Sequence, residues 1–249
     1  MALFRFIEFD RLESTNTYAR EHIRELCHGD VVQAQAQTAG RGRWQRRWVS
    51  DSPGNLYLTV VIKTGGAGQK PRPVSRLSSL SHLMAVAACK TVETFGIQPA
   101  IKWPNDVLVD GRKLAGILAE SVIHGSEFLG MGLGIGLNLN MDPAALERID
   151  QPATSMSSLL GREIDVREIR NGLLNHFFSQ YQAFMEQGFP VIRDQYLSRV
   201  GFLGRAVIVR HPQGDLSGVA RDISNEGGLM LELADGRAVE VTLGELGVS

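Results

Sequence analysis

The chain has little of what several function classes require. It carries two cysteines, Cys27 and Cys89, far apart in sequence. That spacing gives no disulfide framework and no paired-thiol metal or redox motif. Its six histidines are scattered, with no HxH or HExxH pair, which argues against a metal site built on histidine. No Ser/His/Asp or Cys/His constellation stands out. No apolar run reaches membrane-spanning length, and Arg5, Glu8 and Asp10 interrupt the stretch where a signal peptide needs an apolar core. The expected compartment is the cytoplasm. An excess of one charge is missing too. Against 26 basic side chains stand 27 acidic ones, net −1, so the whole-molecule field that would gather nucleic acid is absent.

What is present is an ordinary globular composition, 43% hydrophobic and 21% charged over 249 residues. That suffices for one large domain, or one domain and a small one. One local excess stands out. Gly40 to Trp48 packs four arginines, two glycines and two tryptophans into nine residues. The glycines let backbone approach a ligand, the guanidinium forks match carboxylate and phosphate oxygens, and the indoles offer flat faces. The stretch reads as an anion-binding loop; the alternative is a solvated basic turn.

In chain order, Phe4 to Phe9 alternates as a strand. Glu13 to Thr17 supplies N-cap residues for a helix over Tyr18 to Leu26. Ser14, Thr15 and Asn16 either cap that helix or also bind a polar ligand group at its N-terminus. Val31 to Ala36 and Asn55 to Lys63 are strands, so the basic loop hangs between two strands. Thr64 to Pro73 reads as an exposed connection and Val74 to Phe95 as one long helix. Lys102 lies inside an apolar strand ending at Pro104, where it needs an anionic partner or snorkels to the sheet edge. Asp110–Gly111 is a hairpin signal. Lys113 to Glu120 is a strand with Gly116 inside it. The strand Phe128 to Leu139 carries Gly130, Gly132, Gly134 and Gly136 in alternation. One of its faces is therefore bare, leaving room either for something flat or for close helix packing. Asp142–Pro143 opens a short helix, Thr154 to Gly161 reads as a loop, and Asp165 to Gln187 and Phe189 to Val200 as helices. From Gly204 four short strands mark a small all-β unit, a candidate five-strand barrel.

Five of these pieces, in this order, resemble the bacterial biotin–protein ligases: Ser14-Thr15-Asn16, Gly40-Arg41-Gly42-Arg43, Lys102-Trp103-Pro104-Asn105-Asp106, Lys113-Leu114-Ala115-Gly116-Ile117-Leu118 and Gly134-Ile135-Gly136-Leu137-Asn138. The resemblance covers nearly the whole chain. It implies an α+β fold, a central mixed sheet of the class II synthetase type with helices on one face, over residues 1–203. A small SH3-like β-barrel domain over 204–249 would follow. The implied reaction joins biotin and ATP, with Mg²⁺, into biotinyl-5′-AMP. It then passes biotin to a lysine of a biotin carboxyl carrier protein, an acetyl-CoA carboxylase subunit or similar biotin-dependent enzyme. No tightly bound cofactor and no metal-ligand set is implied.

Carried over residue by residue, the resemblance implies that Lys102 touches the biotin carboxylate and the α-phosphate, and that Arg43 holds the same junction. Gly40, Arg41 and Gly42 would shape the loop over biotin. Ser14, Thr15, Asn16 and Gln37 would bond the ureido head, and Gly116, Gly134 and Gly136 would form a floor. Trp48 and Asn138 would lie near adenine and ribose, with Asn105, Arg46 and Lys113 also on the nucleotide side. The loop in such ligases is mobile until ligand orders it. A homodimer through a sheet edge is common among them. Two departures stand out. Trp44 and Gln45 replace a small or basic residue and a glycine, which predicts a modified lid. Thirteen residues before Ser14 are too few for a winged helix-turn-helix, which predicts no DNA binding; no membrane partner is expected either. The competing readings are a lipoate or octanoyl ligase and a non-catalytic biotin-binding protein.

Overall fold

In the computed structural model, residues 4–63, 74–211 and 213–247 are described. The expected connection at Thr64 to Pro73 lies outside them. Seven strands form a mixed sheet: β1 (Phe6–Leu12), β2 (Val31–Gln37), β3 (Leu56–Ile62), β4 (Ala100–Lys102), β5 (Asp106–Val109), β6 (Arg112–His124) and β7 (Glu127–Leu137). The order is β1-β2-β3-β7-β6-β5-β4. β1 and β2 pair in parallel and α1 (Thr15–Glu21) crosses between them; the remaining pairs are antiparallel. Asp110 and Gly111, both at positive φ, close the β5–β6 hairpin as the sequence predicts.

Period-2 alternation sorts the side chains onto two faces. Leu56, Leu58, Val60 and Ile62 of β3 join Met131, Leu133 and Ile135 of β7 in the main core under α2 (Leu80–Glu93) and α5 (Val166–Gln187). The opposite face holds a smaller cluster in which Ala19, Ile23 and Leu26 pack on Val32 and Val61. The helices therefore lie on both faces of the sheet rather than one, and α1 shares its face with the glycines of β7.

The long helix expected from Val74 begins as a 3-10 turn (Val74–Ser79) and turns α-helical only at Leu80. Thr154 to Gly161 is not a plain loop: Ser155 caps α4 (Met156–Leu160), and Gly161 ends it at φ 67. The first helix starts three residues earlier than read, because Ser14 is the N-cap and Thr15 to Thr17 form the buried first turn. Beyond α3 (Pro143–Glu147) and α6 (Arg193–Leu197), five antiparallel strands follow. They are β8 (Ala206–Arg210), β9 (Leu216–Ile223), β10 (Leu229–Glu232), β11 (Ala238–Val241) and β12 (Glu245–Gly247), in the order β11-β10-β9-β8-β12. This sheet docks on the first through shared apolar residues, among them Val209, Ile223 and Leu246. Polar ties add to the docking: Trp103 Nε1 donates to Gly227 O at 3.0 Å, Ser79 Oγ to Glu226 O, and Arg193 to both oxygens of Asp222 at 2.6 and 2.7 Å.

Candidate active site

A cavity of about 740 Å³ opens on the glycine face, between α1, the basic loop, the ends of β4 to β7 and strand β12. It is lined by eight cationic side chains and four carboxylates, a local positive excess in a chain of net charge −1. Such a wall suits an anionic ligand.

The floor follows from sheet register. Gly116 of β6 faces Gly136 of β7, and Leu118 faces Gly134. The Trp48 indole lies across the first pair. A Cβ on Gly136 would fall 2.4 Å from Trp48 Cε2, and one on Gly116 would fall 2.9 Å from Cζ3. A Cβ on Gly134 would fall 2.3 Å from Asn16 Oδ1, Gly130 makes room for Ile23, and one on Gly132 would fall 3.2 Å from Thr59 Cγ2. The bare stripe is taken up by the protein's own side chains: α1 packs along it as far as Gly134, and the Trp48 indole covers Gly116 and Gly136, where the sequence reading expected a floor under the ligand.

Ser14, Thr15, Asn16 and Gln37 come together at the N-terminus of α1. Thr15 N and Oγ1 donate to Gln37 Oε1 at 2.8 and 3.3 Å. Thr59 Oγ1 lies 2.6 Å from Asn16 Oδ1, as donor, and 2.9 Å from Thr15 Oγ1. Asn16 Nδ2 spends both hydrogens, on Leu118 O at 3.1 Å and Glu120 Oε2 at 3.0 Å. What this leaves for a ligand is directional. The Ser14 hydroxyl and Gln37 Nε2 can donate, and Asn16 Oδ1 can accept.

The cations divide by commitment. Arg41 pairs with Glu120, Arg46 with Glu245 of β12 and Lys113 with Asp106, each at 2.8 Å. Lys113 Nζ also stands 5.4 Å over the Trp48 ring. Arg43 is held by neutral acceptors, Gly244 O at 2.8 Å and Asn105 Oδ1 at 3.3 Å. Burial presses its pKa below the usual arginine value, and Glu245 and Asp106 oppose that shift. Half-buried Lys102, at the end of β4, has no ion-pair partner among the described residues. Asn105 is fixed in turn, because its Nδ2 donates to Ile117 O at 2.6 Å.

The loop itself is folded. Gly42 N donates to Arg46 O at 2.7 Å and Trp48 N to Gly40 O at 2.9 Å, with Arg43–Gln45 as a 3-10 turn. Two expected residues do not line the cavity. Gly40 is packed at the loop's base, where a Cβ would fall 2.2 Å from Ser50 Oγ. Asn138 is buried behind the floor, its Nδ2 on Thr154 O at 3.1 Å. Every other site residue named from the sequence lines the cavity. The sequence reading gave no site role to Glu120 or Glu245, nor to Asp106, which it named only as the end of the Lys102–Asp106 motif. Glu120 was readable, since it stands at even spacing from Gly116 and Leu118 on one strand face. Glu245 had no local signal.

Residues 8–138 match the biotin/lipoate A/B protein ligase family, and residues 202–245 match the biotin protein ligase C terminal domain. The chain belongs to this family. The biotin--[acetyl-CoA-carboxylase] ligase of Paracoccus denitrificans is 35% identical over 233 residues, 92% of this chain and 95% of that protein. The bifunctional ligase/repressor BirA of Bacillus subtilis is 33% identical, over 92% of this chain and 70% of that one. Among solved structures, the biotin protein ligase from Aquifex aeolicus in complex with biotin and ATP superposes with a TM-score of 0.81 at 25% identity, covering 98% of this chain and 97% of that one. Family membership agrees with the directional set at α1 and with the uncommitted cation of β4, which the fold places on one cavity.

Proposed function

We propose that the protein activates biotin with Mg-ATP to biotinyl-5′-AMP and transfers biotin to a lysine of a biotin carboxyl carrier protein. The observation that carries this is the union, in one cavity, of a neutral donor-and-acceptor set with an unpaired lysine. In the first step a biotin carboxylate oxygen attacks the α-phosphorus, and the bond to the bridging oxygen breaks to release pyrophosphate. Two anions meet, so fixed cations must offset their repulsion and stabilise the charge spreading over the phosphoryl oxygens. Lys102 and Arg43 take that role. Ser14 and Gln37 donate to the ureido oxygen, and Asn16 accepts from a ureido N–H. Trp48 and Lys113 form the nucleotide side, and Asn105 aims Arg43. In the second step the carrier's neutral amine attacks the acyl carbon and AMP leaves, so no protein nucleophile is required. Mg²⁺ comes with the triphosphate and draws negative charge from its oxygens. The dithiolane ring of lipoate has no N–H for Asn16, which disfavours a lipoate ligase. The uncommitted Lys102 disfavours a mere binding protein. A division at residues 203 and 204, a cytoplasmic location and pairing of two copies through a free sheet edge belong to the same proposal.

The test is pyrophosphate release from ATP and Mg²⁺ with biotin, with lipoate, or with neither. Biotin-dependent release is expected. Lys102→Gln is expected to keep biotin binding and lose on the order of a hundredfold in release rate. Tight biotin binding without release in the unaltered protein, or release with lipoate alone, would overturn the reading.

A further inference from the structure

Glu120 lies on β6 behind the cavity wall, opposite Gly132 of β7 and on the same face as Gly116 and Leu118. Its two oxygens reach in different directions. Oε1 pairs with Arg41, in the bridge that closes the base of the basic loop, at 2.8 Å. Oε2 accepts from Asn16 Nδ2, in the first turn of α1, at 3.0 Å. One carboxylate thus ties the loop to the helix that carries the neutral hydrogen-bonding set.

We propose that Glu120 is a positioning residue that sets the hydrogen-bond polarity of Asn16 and so the affinity and choice of the ligand's ring. This rests on the biotin reading above. Both of its partners donate, so both oxygens must accept, which a carboxylate does and a carboxamide cannot. With Glu120 in place, the two Nδ2 hydrogens of Asn16 are consumed within the protein, and Thr59 donates to Oδ1 at 2.6 Å. Oδ1, which lies over Gly134, retains a lone pair for the cavity. That edge of the site accepts. It welcomes the N–H of a cyclic urea and offers a sulfur ring nothing. A glutamine at 120 places an N–H against either Asn16 Nδ2 or the Arg41 guanidinium. Either contact costs Asn16 one of the two bonds that fix its amide plane; the remaining bond to Leu118 O leaves the amide free to tilt, so Oδ1 no longer meets the ligand's N–H squarely.

The experiment compares the unaltered protein with Glu120→Gln and Glu120→Asp, measuring KM for biotin, KM for ATP and kcat of biotin-dependent pyrophosphate release. For Glu120→Gln the biotin KM is expected to rise about three- to tenfold, the scale of one lost neutral hydrogen bond. ATP KM and kcat at saturating biotin should stay within about twofold, because the carboxamide disturbs ring recognition and not the phosphate side. Glu120→Asp keeps two acceptor oxygens on a shorter stem and is expected to fall between the two. It also provides the comparison should Glu120→Gln fail to fold. An unchanged biotin KM in the variants, or ATP and biotin KM rising together, overturns the positioning role while leaving the ligase reading intact. An unaltered protein that releases no pyrophosphate with biotin overturns both.

Discussion

Trp44 sits at φ 53 and ψ 41, in the left-handed region that side chains avoid. The sequence suggested that Gln45 occupies the position wanting a glycine; the backbone places that demand one residue earlier. An L-residue there costs about 1–2 kcal/mol. The Arg43 and Arg46 guanidinium groups stand 5.3 and 5.7 Å from its ring centroid, and partly exposed cation–π pairs of about 0.5–1 kcal/mol each roughly offset that cost. Trp48 plays the opposite part. Its ring lies inward on two glycines, and the missing side chain of Gly136 is what leaves room for it. Gly136→Ala would push a methyl group into an indole carried by a loop, which yields more readily than a core strand. The unfolding free energy is expected to fall by at most about 1–3 kcal/mol. Biotin-dependent pyrophosphate release should fall at least about tenfold through misplacement of the nucleotide side, and paired denaturation and rate measurements separate the two effects. A rate within twofold of the unaltered protein would show that the ring does not organise the site.

Strand β12 decides how the basic loop rests. Its Glu245 holds Arg46, and the preceding Gly244 carbonyl holds Arg43. The sequence predicts ligand contact alone for both arginines. In the structure they also clasp the small C-terminal sheet. The Arg46–Glu245 pair is half-exposed on the arginine side and contributes below about 1 kcal/mol, so the clasp is weak enough for a ligand to compete with it. Glu245→Ala is expected to speed tryptic cleavage at Arg46 or Arg47 in ligand-free protein by about two- to fivefold, with the rest of the digestion pattern unchanged. A cleavage rate equal to that of the unaltered chain would mean that β12 does not restrain the loop. Local signals made most elements readable: the alternation of β3, the Asp110–Gly111 turn and the Asp165 cap of α5. They failed at Thr154 to Gly161, where a five-residue helix is too short for periodicity to register. They failed too at the start of α2, where a 3-10 turn docks against the C-terminal sheet.

At the scale of the whole molecule the two sheets share one apolar core, and His82 lies at their seam, 5% exposed. It packs edge-on against Phe189 and Tyr196, and a Cβ on Gly227 of the C-terminal unit would fall 3.0 Å from its Cε1. Burial lowers its pKa to about 4. The unfolded chain therefore takes up this proton first as pH falls. The histidine's contribution is fully present above about pH 6.5 and is lost progressively toward pH 4. Between pH 7 and pH 5 the loss amounts to about 2 kcal/mol. Urea unfolding at the two pH values checks it, and His82→Gln is expected to flatten that part of the profile. Equal pH dependence in the variant would mean that His82 is not the group responsible.

The sequence by itself determined the chemistry available. Short-range spacing sets which side chains share a strand face, which residues turn the chain and which backbone stays bare, and those local rules carried the Lys102 strand end, the arginine loop and the glycine stripe. It also sufficed to identify the family. The pairing of charges was decided only by tertiary structure, because an ion pair depends on distance across elements far apart in sequence. Arg41 meets Glu120 and Arg46 meets Glu245 only once the sheets have docked. Of the residues read as ligand-facing, Lys102 and Arg43 pair with no carboxylate among the described residues, and Gly40 and Asn138 are withdrawn from the cavity wall. Which cations remain for the ligand is therefore a property of the folded molecule.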